Sequence, residues 1–210
     1  MVACAPLAAA VAHQCEKAAA EVGAQALIMH ARGFLVAWGG VIALAFCDWP
    51  PLLKQLKACL NEMEGAAEGG ALDHLARENA GSRWPKITLG ALRPGATLTL
   101  SDLTNLRNVT GELSRRLEEQ HNSPWEIAAI HVAAYTSRSL EQRVCDEAVA
   151  LPASRSCYAH EREAPRSGLV EEVMREWEEG DLQRYLKRVN TGTSALHYTE
   201  KISLDYVSIW

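Results

Sequence analysis

The chain has 210 residues, of which 48% are hydrophobic and 22% are charged, and its formal net charge is −5. This composition is typical of a globular protein with a buried core, and it excludes disorder over most of the chain. The acidic balance also excludes a global positive field that would attract nucleic acid or an anionic membrane, so any contact with nucleic acid must be local.

The N-terminal segment predicts one long helix over residues 5–31. It is rich in alanine, and its larger apolar side chains recur at near-helical spacing. Gly33 fits the end of this helix, and Gly23 is a position at which the helix could bend.

The stretch "GFLVAWGGVIALAFC", residues 33–47, has no charged residue. It is too short to cross a bilayer, because a spanning helix needs roughly 20 apolar residues. The Gly39-Gly40 pair at its centre can take the positive φ angles of a tight turn, so we predict a hairpin with strands at about 34–38 and 41–47. Both strands are apolar on both faces, which indicates a sheet that is covered on each side.

One helix, a loop, a short helix and a strand are predicted between residues 50 and 94. Pro50-Pro51 opens an amphipathic helix that ends before a flexible loop at about 64–70. A short helix near 71–78 then precedes a strand of about seven residues between Pro85 and Pro94.

A long amphipathic helix follows, with Ser101-Asp102 as its predicted cap. The side chains expected to face inward are Leu103, Leu106, Val109, Leu113 and Leu117. Those expected to face solvent are Arg107, Glu112, Arg115, Arg116 and Glu119.

The C-terminal half predicts both strands and helices. We expect a buried strand at about 126–135, a helix at about 139–148 and a flexible loop at about 152–167. Two amphipathic helices follow, one from Ser167 and one after Gly180-Asp181, and the alternating sequence "KISLDYVSIW" predicts a final strand. This order of elements predicts a single α+β domain over residues 1–210, with a mixed or antiparallel sheet packed against several amphipathic helices.

The six cysteines are widely separated and form no Cys-x-x-Cys pair, so we predict buried free thiols. Cys157 and His160 have a plausible spacing for metal ligands, but there is no second pair to complete a zinc site. The N-terminus lacks the basic leading region of a secretory signal and the Arg- and Ser-rich character of a transit peptide. A cytoplasmic location is therefore the default expectation, and import by an unrecognised signal stays open.

Several common catalytic motifs do not occur in the sequence. There is no G-x-G-x-x-G, G-x-x-x-x-G-K-[ST], G-x-S-x-G or H-E-x-x-H. Dinucleotide binding, P-loop nucleotide hydrolysis, α/β-hydrolase chemistry and standard zinc catalysis thus lack support, and we expect no cofactor and no metal.

The remaining candidate residues lie on predicted strands. In "WPKITLG", Lys86 and Thr88 are two residues apart and project from one face of a strand. In "AAIHVAAY", His131 interrupts an apolar strand, and in "LHYTEK", His197 and Thr199 are again two apart. Each has a structural alternative: a hydrogen-bonded core histidine, a solvated lysine, or the entry to the last strand.

The order of "GGVIALAF", an amphipathic helix opening at a proline and "WPKITLG" resembles the first half of the 2H phosphoesterase family. The resemblance covers roughly residues 34–135 and the final strand. It implies an α+β fold in which two H-x-[ST] motifs on facing strands cleave cyclic phosphates or 2′,5′ linkages of nucleotides and RNA ends. In that chemistry one histidine removes a proton from the attacking water, the other protonates the leaving oxygen, and the hydroxyls hold the phosphate.

The sequence departs from the motif that the resemblance requires. Lys86 stands at the first histidine position, with Thr88 in place, and a lysine is a poor general base at neutral pH. The second motif is either His131, which is followed by Ala133, or the intact pair of His197 and Thr199. The resemblance thus implies His131 and His197 as catalytic residues and Lys86, Thr88, Thr199 and Arg138 as substrate-binding residues.

Three functions are compatible with these observations. The first is a phosphoesterase-like domain that binds or hydrolyses a cyclic phosphate or a 2′,5′-linked nucleotide or RNA end and has partly lost its catalytic motifs. The second is a non-enzymatic protein-interaction subunit of a larger assembly, in which Trp177 of the acidic segment "EEVMREWEEGD" would anchor a partner. The third is a protein that binds a small molecule without transforming it. Whether the chain is an enzyme stays open at this point.

Overall fold

The computed structural model describes residues 4–22, 27–66, 76–77, 84–93, 95–120, 124–127, 129–135, 143–151, 167–195 and 206–209. Over these ranges the fold is α+β, as predicted. The helices are α1 (Cys4–Val22), α2 (Pro51–Ala66), α3 (Leu100–Glu119), α4 (Gly168–Glu179) and α5 (Leu182–Ala195). The strands are β1 (Ile28–Met29), β2 (Ala31–Ala37), β3 (Val41–Phe46), β4 (Ala76–Arg77), β5 (Lys86–Ala91), β6 (Trp125–Glu126), β7 (Ala129–Tyr135), β8 (Arg143–Ala150) and β9 (Tyr206–Ile209).

The strands form three sheets. Strands β1 and β6 make an antiparallel pair, and β2, β3 and β5 make an antiparallel sheet in that order. The third sheet has the order β4-β9-β7-β8 and is mixed, since β4 pairs with β9 in parallel while the other pairs are antiparallel. Both alternatives in the predicted sheet type are therefore present.

The three-stranded sheet is covered on both faces, because successive residues of β3 point into different apolar clusters. Ala43 and Ala45 belong to a cluster formed with buried side chains of α3, α4 and α5, of which Trp177 is the largest. Leu44 and Phe46 belong to a second cluster with Met29 and Ala31. The burial of both faces confirms the prediction, made from the uncharged residues 33–47, that the sheet is covered on each side.

The predicted hairpin is present, and its turn contains Trp38, Gly39 and Gly40. Gly39 and Gly40 have φ angles of 78° and 70°, which a side chain at Cβ would make unfavourable. The strands pair from Ala37 with Val41 outward. The segment is thus a hairpin inside a covered sheet, and among the described residues no helix is long and apolar enough to span a bilayer.

Two helices supply hydrogen bonds to the outer edge of β2, the side away from β3. The Phe34 amide donates to Ser114 Oγ of α3 over 2.9 Å, and Tyr185 Oη of α5 donates to the Val36 carbonyl over 2.7 Å. Residues two apart on a strand direct their polar groups the same way, so both bonds satisfy groups that β3 cannot reach. A Cβ at Gly33 would lie 2.8 Å from Ser114 Oγ and 3.1 Å from Met174 Cε, so glycine allows α3 and α4 to approach this edge.

The four-stranded sheet packs one face against α1 and α2. Ile130, Val132 and Val149 of β7 and β8 join Val11, Cys15, Leu52 and Leu56 in a buried cluster. Cys15, Cys47 and Cys59 are free and buried, which confirms the prediction for these three thiols. Burial raises the pKa of the Cys15 thiol to about 11, so this thiol is unreactive near neutral pH.

Three predicted helical segments are wrong in part. Helix α1 ends at Val22, and from Leu27 to Leu35 the side chains alternate between buried and partly exposed, as in a strand. Residues 143–148, predicted as the second half of a helix, belong to β8, and residues 76–77, also predicted as helical, form β4. In each case pairing with another strand outweighs local helix propensity.

The inward face of α3 also differs from the prediction. Leu103 is buried as expected, but Val109 is 56% exposed and Leu113 is 41% exposed. Thr110 and Ser114 are buried in their place. The N-cap is Thr99, two residues before the predicted Ser101, and Asp102 completes a capping box with it.

Other predicted helices and strands agree more closely. Helix α2 begins at Pro51 and runs to Ala66, three residues into the predicted loop, of which 67–70 lie outside the described residues. Strand β5 lies between Pro85 and Pro94, and α4 and α5 are separated at Gly180-Asp181, as predicted. The predicted loop at 152–167 lies outside the described residues up to residue 166, and β9 confirms residues 206–209 of the predicted final strand.

Candidate functional site

The predicted site residues that the structure describes lie in two different sheets. Lys86 and Thr88 are on β5 of the three-stranded sheet, and His131 is on β7 of the four-stranded sheet. Arg138, His197 and Thr199 lie outside the described residues.

His131 lies on the face of the four-stranded sheet opposite the buried cluster. Its neighbours Ile130 and Val132 are 1% and 0% exposed, whereas the His131 side chain is 49% exposed. The alternation of β7 therefore places the imidazole outside the core, and it excludes the alternative of a buried core histidine.

Asp146 of β8 orients this imidazole. Its Oδ1 lies 2.8 Å from His131 Nδ1. The ladder pairs His131 with Ala148 and Ala133 with Asp146, so the two side chains are diagonal neighbours on adjacent strands. An ionised carboxylate only accepts, so the Nδ1 atom carries the proton in this bond, and Nε2 is the atom that can accept another proton.

The neighbours of the pair along β8 are small. Within the described residues Nε2 has no hydrogen-bond partner. Ala148 and Ala150, which lie on the same face of β8 as Asp146, are exposed and carry only a methyl group.

Lys86 and Thr88 share one face of β5, as their spacing predicts. They pair with Ala45 and Ala43 of β3 across the sheet. The Lys86 ammonium lies 4.6 Å from the centre of the Trp84 ring, and Thr88 is exposed. A cation held on an aromatic face can bind an anion, but this lysine and the His131 pair stand on separate sheets.

Asp146 is a site residue that the sequence did not reveal. A helix over residues 139–148, as expected from the sequence, would point Asp146 away from any strand. The local signal for a strand is the alternation of exposed Ala148 with buried Val149. This alternation is too short to distinguish a strand from a helix. The pairing of β7 with β8 could not be read from either segment alone.

The described residues contain no group of three or more histidine, cysteine, aspartate or glutamate side chains that could hold a metal ion. Cys157 and His160 lie outside the described residues. With Nδ1 held by Asp146, the His131 imidazole can accept or donate a proton at Nε2, which is the chemistry of a general base or acid.

Comparisons of the chain with models of protein families, with curated proteins and with solved structures give no match. A function for the chain therefore has to be inferred from the geometry of its own residues.

Proposed function

We propose that the protein binds a cyclic phosphate or a 2′,5′-linked nucleotide or RNA end at the open face of the four-stranded sheet, and that His131 acts on it as a general base. The observation that carries this proposal is the His131 Nδ1 to Asp146 Oδ1 contact of 2.8 Å on an exposed strand. A carboxylate on one ring nitrogen prepares the other nitrogen to take a proton from water.

The proposed reaction is the hydrolysis of a phosphate ester. Nε2 of His131 takes a proton from water while the water oxygen attacks phosphorus and the bond from phosphorus to the ester oxygen breaks. The leaving oxygen receives a proton from the imidazolium or from His197, so that water is consumed and a hydroxyl is released. Asp146 acts as a positioning residue, since it holds the ring rather than touching the substrate.

We expect this turnover to be slow. Asp146 places negative charge beside an anionic substrate, which opposes its binding. Lys86 and Thr88, which the resemblance to 2H phosphoesterases implies as phosphate ligands, lie on the other sheet. The form of the proposal that these positions favour is therefore weak substrate binding with slow hydrolysis.

The experiment is to incubate the chain with 2′,3′-cyclic nucleotides and 2′,5′-linked dinucleotides and to separate the products by chromatography. We expect slow turnover that is lost in His131→Ala and falls about 10- to 100-fold in Asp146→Asn, because the asparagine amide can donate to Nδ1 and leave the ring proton on Nε2. Glu147→Gln is the matched control: it removes the same charge from the neighbouring position and should leave turnover within about twofold.

Nucleotide binding measured by calorimetry separates binding from catalysis. Binding that persists in His131→Ala together with lost turnover supports a catalytic role for the imidazole. The absence of both binding and turnover in the wild type, or unchanged turnover in His131→Ala, would overturn the proposal.

A second candidate function is a protein-interaction subunit. Trp177, the anchor expected from the sequence, is 1% exposed in the core and cannot contact a partner. Trp38 is 47% exposed at the hairpin turn, with the Arg188 guanidinium 4.3 Å from the ring centre. An exposed tryptophan beside an arginine is typical of interface anchors. This candidate predicts that a tagged chain isolated from its source cells has a native mass above that of the chain alone, and that Trp38→Ser lowers it.

A further inference from the structure

A groove of about 420 Å³ lies between α3 and α4, and none of its described lining residues belongs to the four-stranded sheet. Phe34 of β2 and Trp177 of α4 form apolar parts of its wall, and Arg107 and Gly111 of α3 contribute from the other side. The groove is large enough for a small molecule, and it combines apolar walls with a few polar groups, as binding sites commonly do.

Arg107 is unusual among the charged residues of this groove. Its Nη2 donates to the Gly180 carbonyl over 2.9 Å, and its guanidinium carbon lies 5.5 Å from the centre of the Trp177 ring. Its Nε is buried without a hydrogen-bond partner, and the residue forms no ion pair within the described ranges. Asp181 acts on it only at longer range. A partly desolvated guanidinium without a carboxylate is stabilised by an added anion.

The other charges along the groove are already neutralised by partners. Arg115 pairs with Glu112 and Glu119, and Glu178 pairs with Arg32. Among the groove residues that the structure describes, the uncompensated charge is therefore the positive charge of Arg107. A single uncompensated positive charge matches a monoanion better than a dianion.

Gly111 keeps the groove open. It lies in the middle of α3, where glycine is less favourable than alanine. A Cβ built at this position meets no atom within 4 Å, so close packing does not explain the absence of a side chain. The empty space lies one turn along the helix from Arg107, within reach of the guanidinium.

We propose that the groove between α3 and α4 binds a small monocarboxylate with an apolar body, whose carboxylate contacts Arg107 while its apolar part lies over Gly111 against Phe34. The site is independent of the His131 face, and its ligand class differs from the phosphate esters proposed there. A planar guanidinium matches the two oxygens of a carboxylate, which Lys in this position would not.

Benzoate is the probe, titrated into the full chain by calorimetry at constant ionic strength. We expect a Kd on the order of 1 mM, as suits a ligand of this size. Benzyl alcohol keeps the ring and removes the charge, and inorganic phosphate keeps an anion and removes the ring. Both are expected to bind at least about 10-fold more weakly than benzoate.

Two variants test the residues. Arg107→Gln keeps a donor for the Gly180 carbonyl and removes the charge, and Gly111→Leu fills the space while favouring the helix. Each should weaken benzoate binding at least about 10-fold. Gly168→Leu is the control, because Gly168 is also a helical glycine with no atom within 4 Å of a built Cβ and does not line the groove.

The outcomes are separable from those of the proposed phosphate site. His131→Ala should leave benzoate binding unchanged. Equal benzoate affinity in the wild type and Gly111→Leu, or no binding at concentrations well above the expected Kd, would refute the groove site. Phosphate that binds as tightly as benzoate would refute the ligand class. If Arg107→Gln fails to fold, Gly111→Leu still decides the question.

Discussion

Helices α3 and α4 meet beside the same residue, Gly33 of β2, yet their inward faces differ in chemistry. The buried side chains of α4 are Val170, Val173, Met174 and Trp177. Those of α3 are Leu103, Thr110 and Ser114, while Val109 and Leu113 are exposed.

The polar side of α3 faces inward because it meets polar groups there. Ser114 Oγ accepts from the Phe34 amide over 2.9 Å, and Thr110 Oγ1 accepts from Trp177 Nε1 over 3.1 Å. A strand edge presents unpaired amides and carbonyls, so a helix beside it is stabilised by hydroxyls. The apolar stripe of a helix identifies its inward face only where the helix packs against other apolar side chains.

The largest effect is expected in α4. Trp177→Ala should lower the free energy of unfolding by about 3–5 kcal/mol, because a large side chain is lost from a fully packed cluster. Urea unfolding followed by circular dichroism measures it. A loss below about 1 kcal/mol would show that α4 is not the apolar partner of the sheet.

The next effect tests the polar face of α3. Ser114→Ala leaves the Phe34 amide without its acceptor and should cost about 1–3 kcal/mol, although it removes only one oxygen. Leu113→Ala, one residue earlier, removes more apolar surface from an exposed position and should cost no more than about 0.5 kcal/mol. If Leu113→Ala lowered the free energy of unfolding more than Ser114→Ala in urea, the apolar stripe of α3 would face inward.

The helix starts offer a smaller contrast. Thr99→Ala removes the hydroxyl that accepts from the Asp102 amide over 3.2 Å, and should cost about 1 kcal/mol. Ser167, the N-cap of α4, makes no side-chain capping bond, so Ser167→Ala should change stability by less than about 0.5 kcal/mol. Thermal unfolding of the two variants side by side measures the difference, and equal losses would contradict it.

The smallest effect concerns pH. Hydrogen bonds from the Thr99 hydroxyl and amide lower the pKa of Asp102. Its stabilising contribution is therefore complete above the ordinary aspartate pKa of about 3.9, and it is lost as the pH falls through the lower, folded-state pKa. Acid titration should destabilise the wild type more than Asp102→Asn over that range. Parallel acid profiles of the two proteins would show that the capping box does not form.

The regularly patterned parts of the molecule could be predicted from sequence. The Gly39-Gly40 hairpin, β5 between two prolines, and the paired helices α4 and α5 each carry a local signal that matches their final environment. The existence of helix α3 is equally clear from its sequence. Which of its faces points inward, however, depends on the edge of β2, and the sequence of α3 alone gives no information about that edge.

One residue of the candidate site could be predicted from sequence and another could not. His131 could be singled out because a histidine interrupts an apolar strand, and this holds without knowledge of its neighbours. Asp146 could not be singled out, since its role depends on the pairing of β7 with β8. The segment that forms β8 does not have the regular sequence pattern that predicts a strand. The local sequence thus identifies the residue that is unusual on a strand, whereas the pairing of strands decides which side chains lie beside it.

The bonds from Ser114 and Tyr185 to the outer edge of β2 bear on how the molecule behaves in crowded solution. An uncovered strand edge is a template on which another chain can add a strand, and such additions lead to aggregation. Here the hydroxyls of Ser114 and Tyr185 already bond to two backbone groups of the β2 edge, so these groups are not available to pair with an incoming strand. Partial release of α3 or α5, well short of unfolding, would suffice to start intermolecular pairing at this edge.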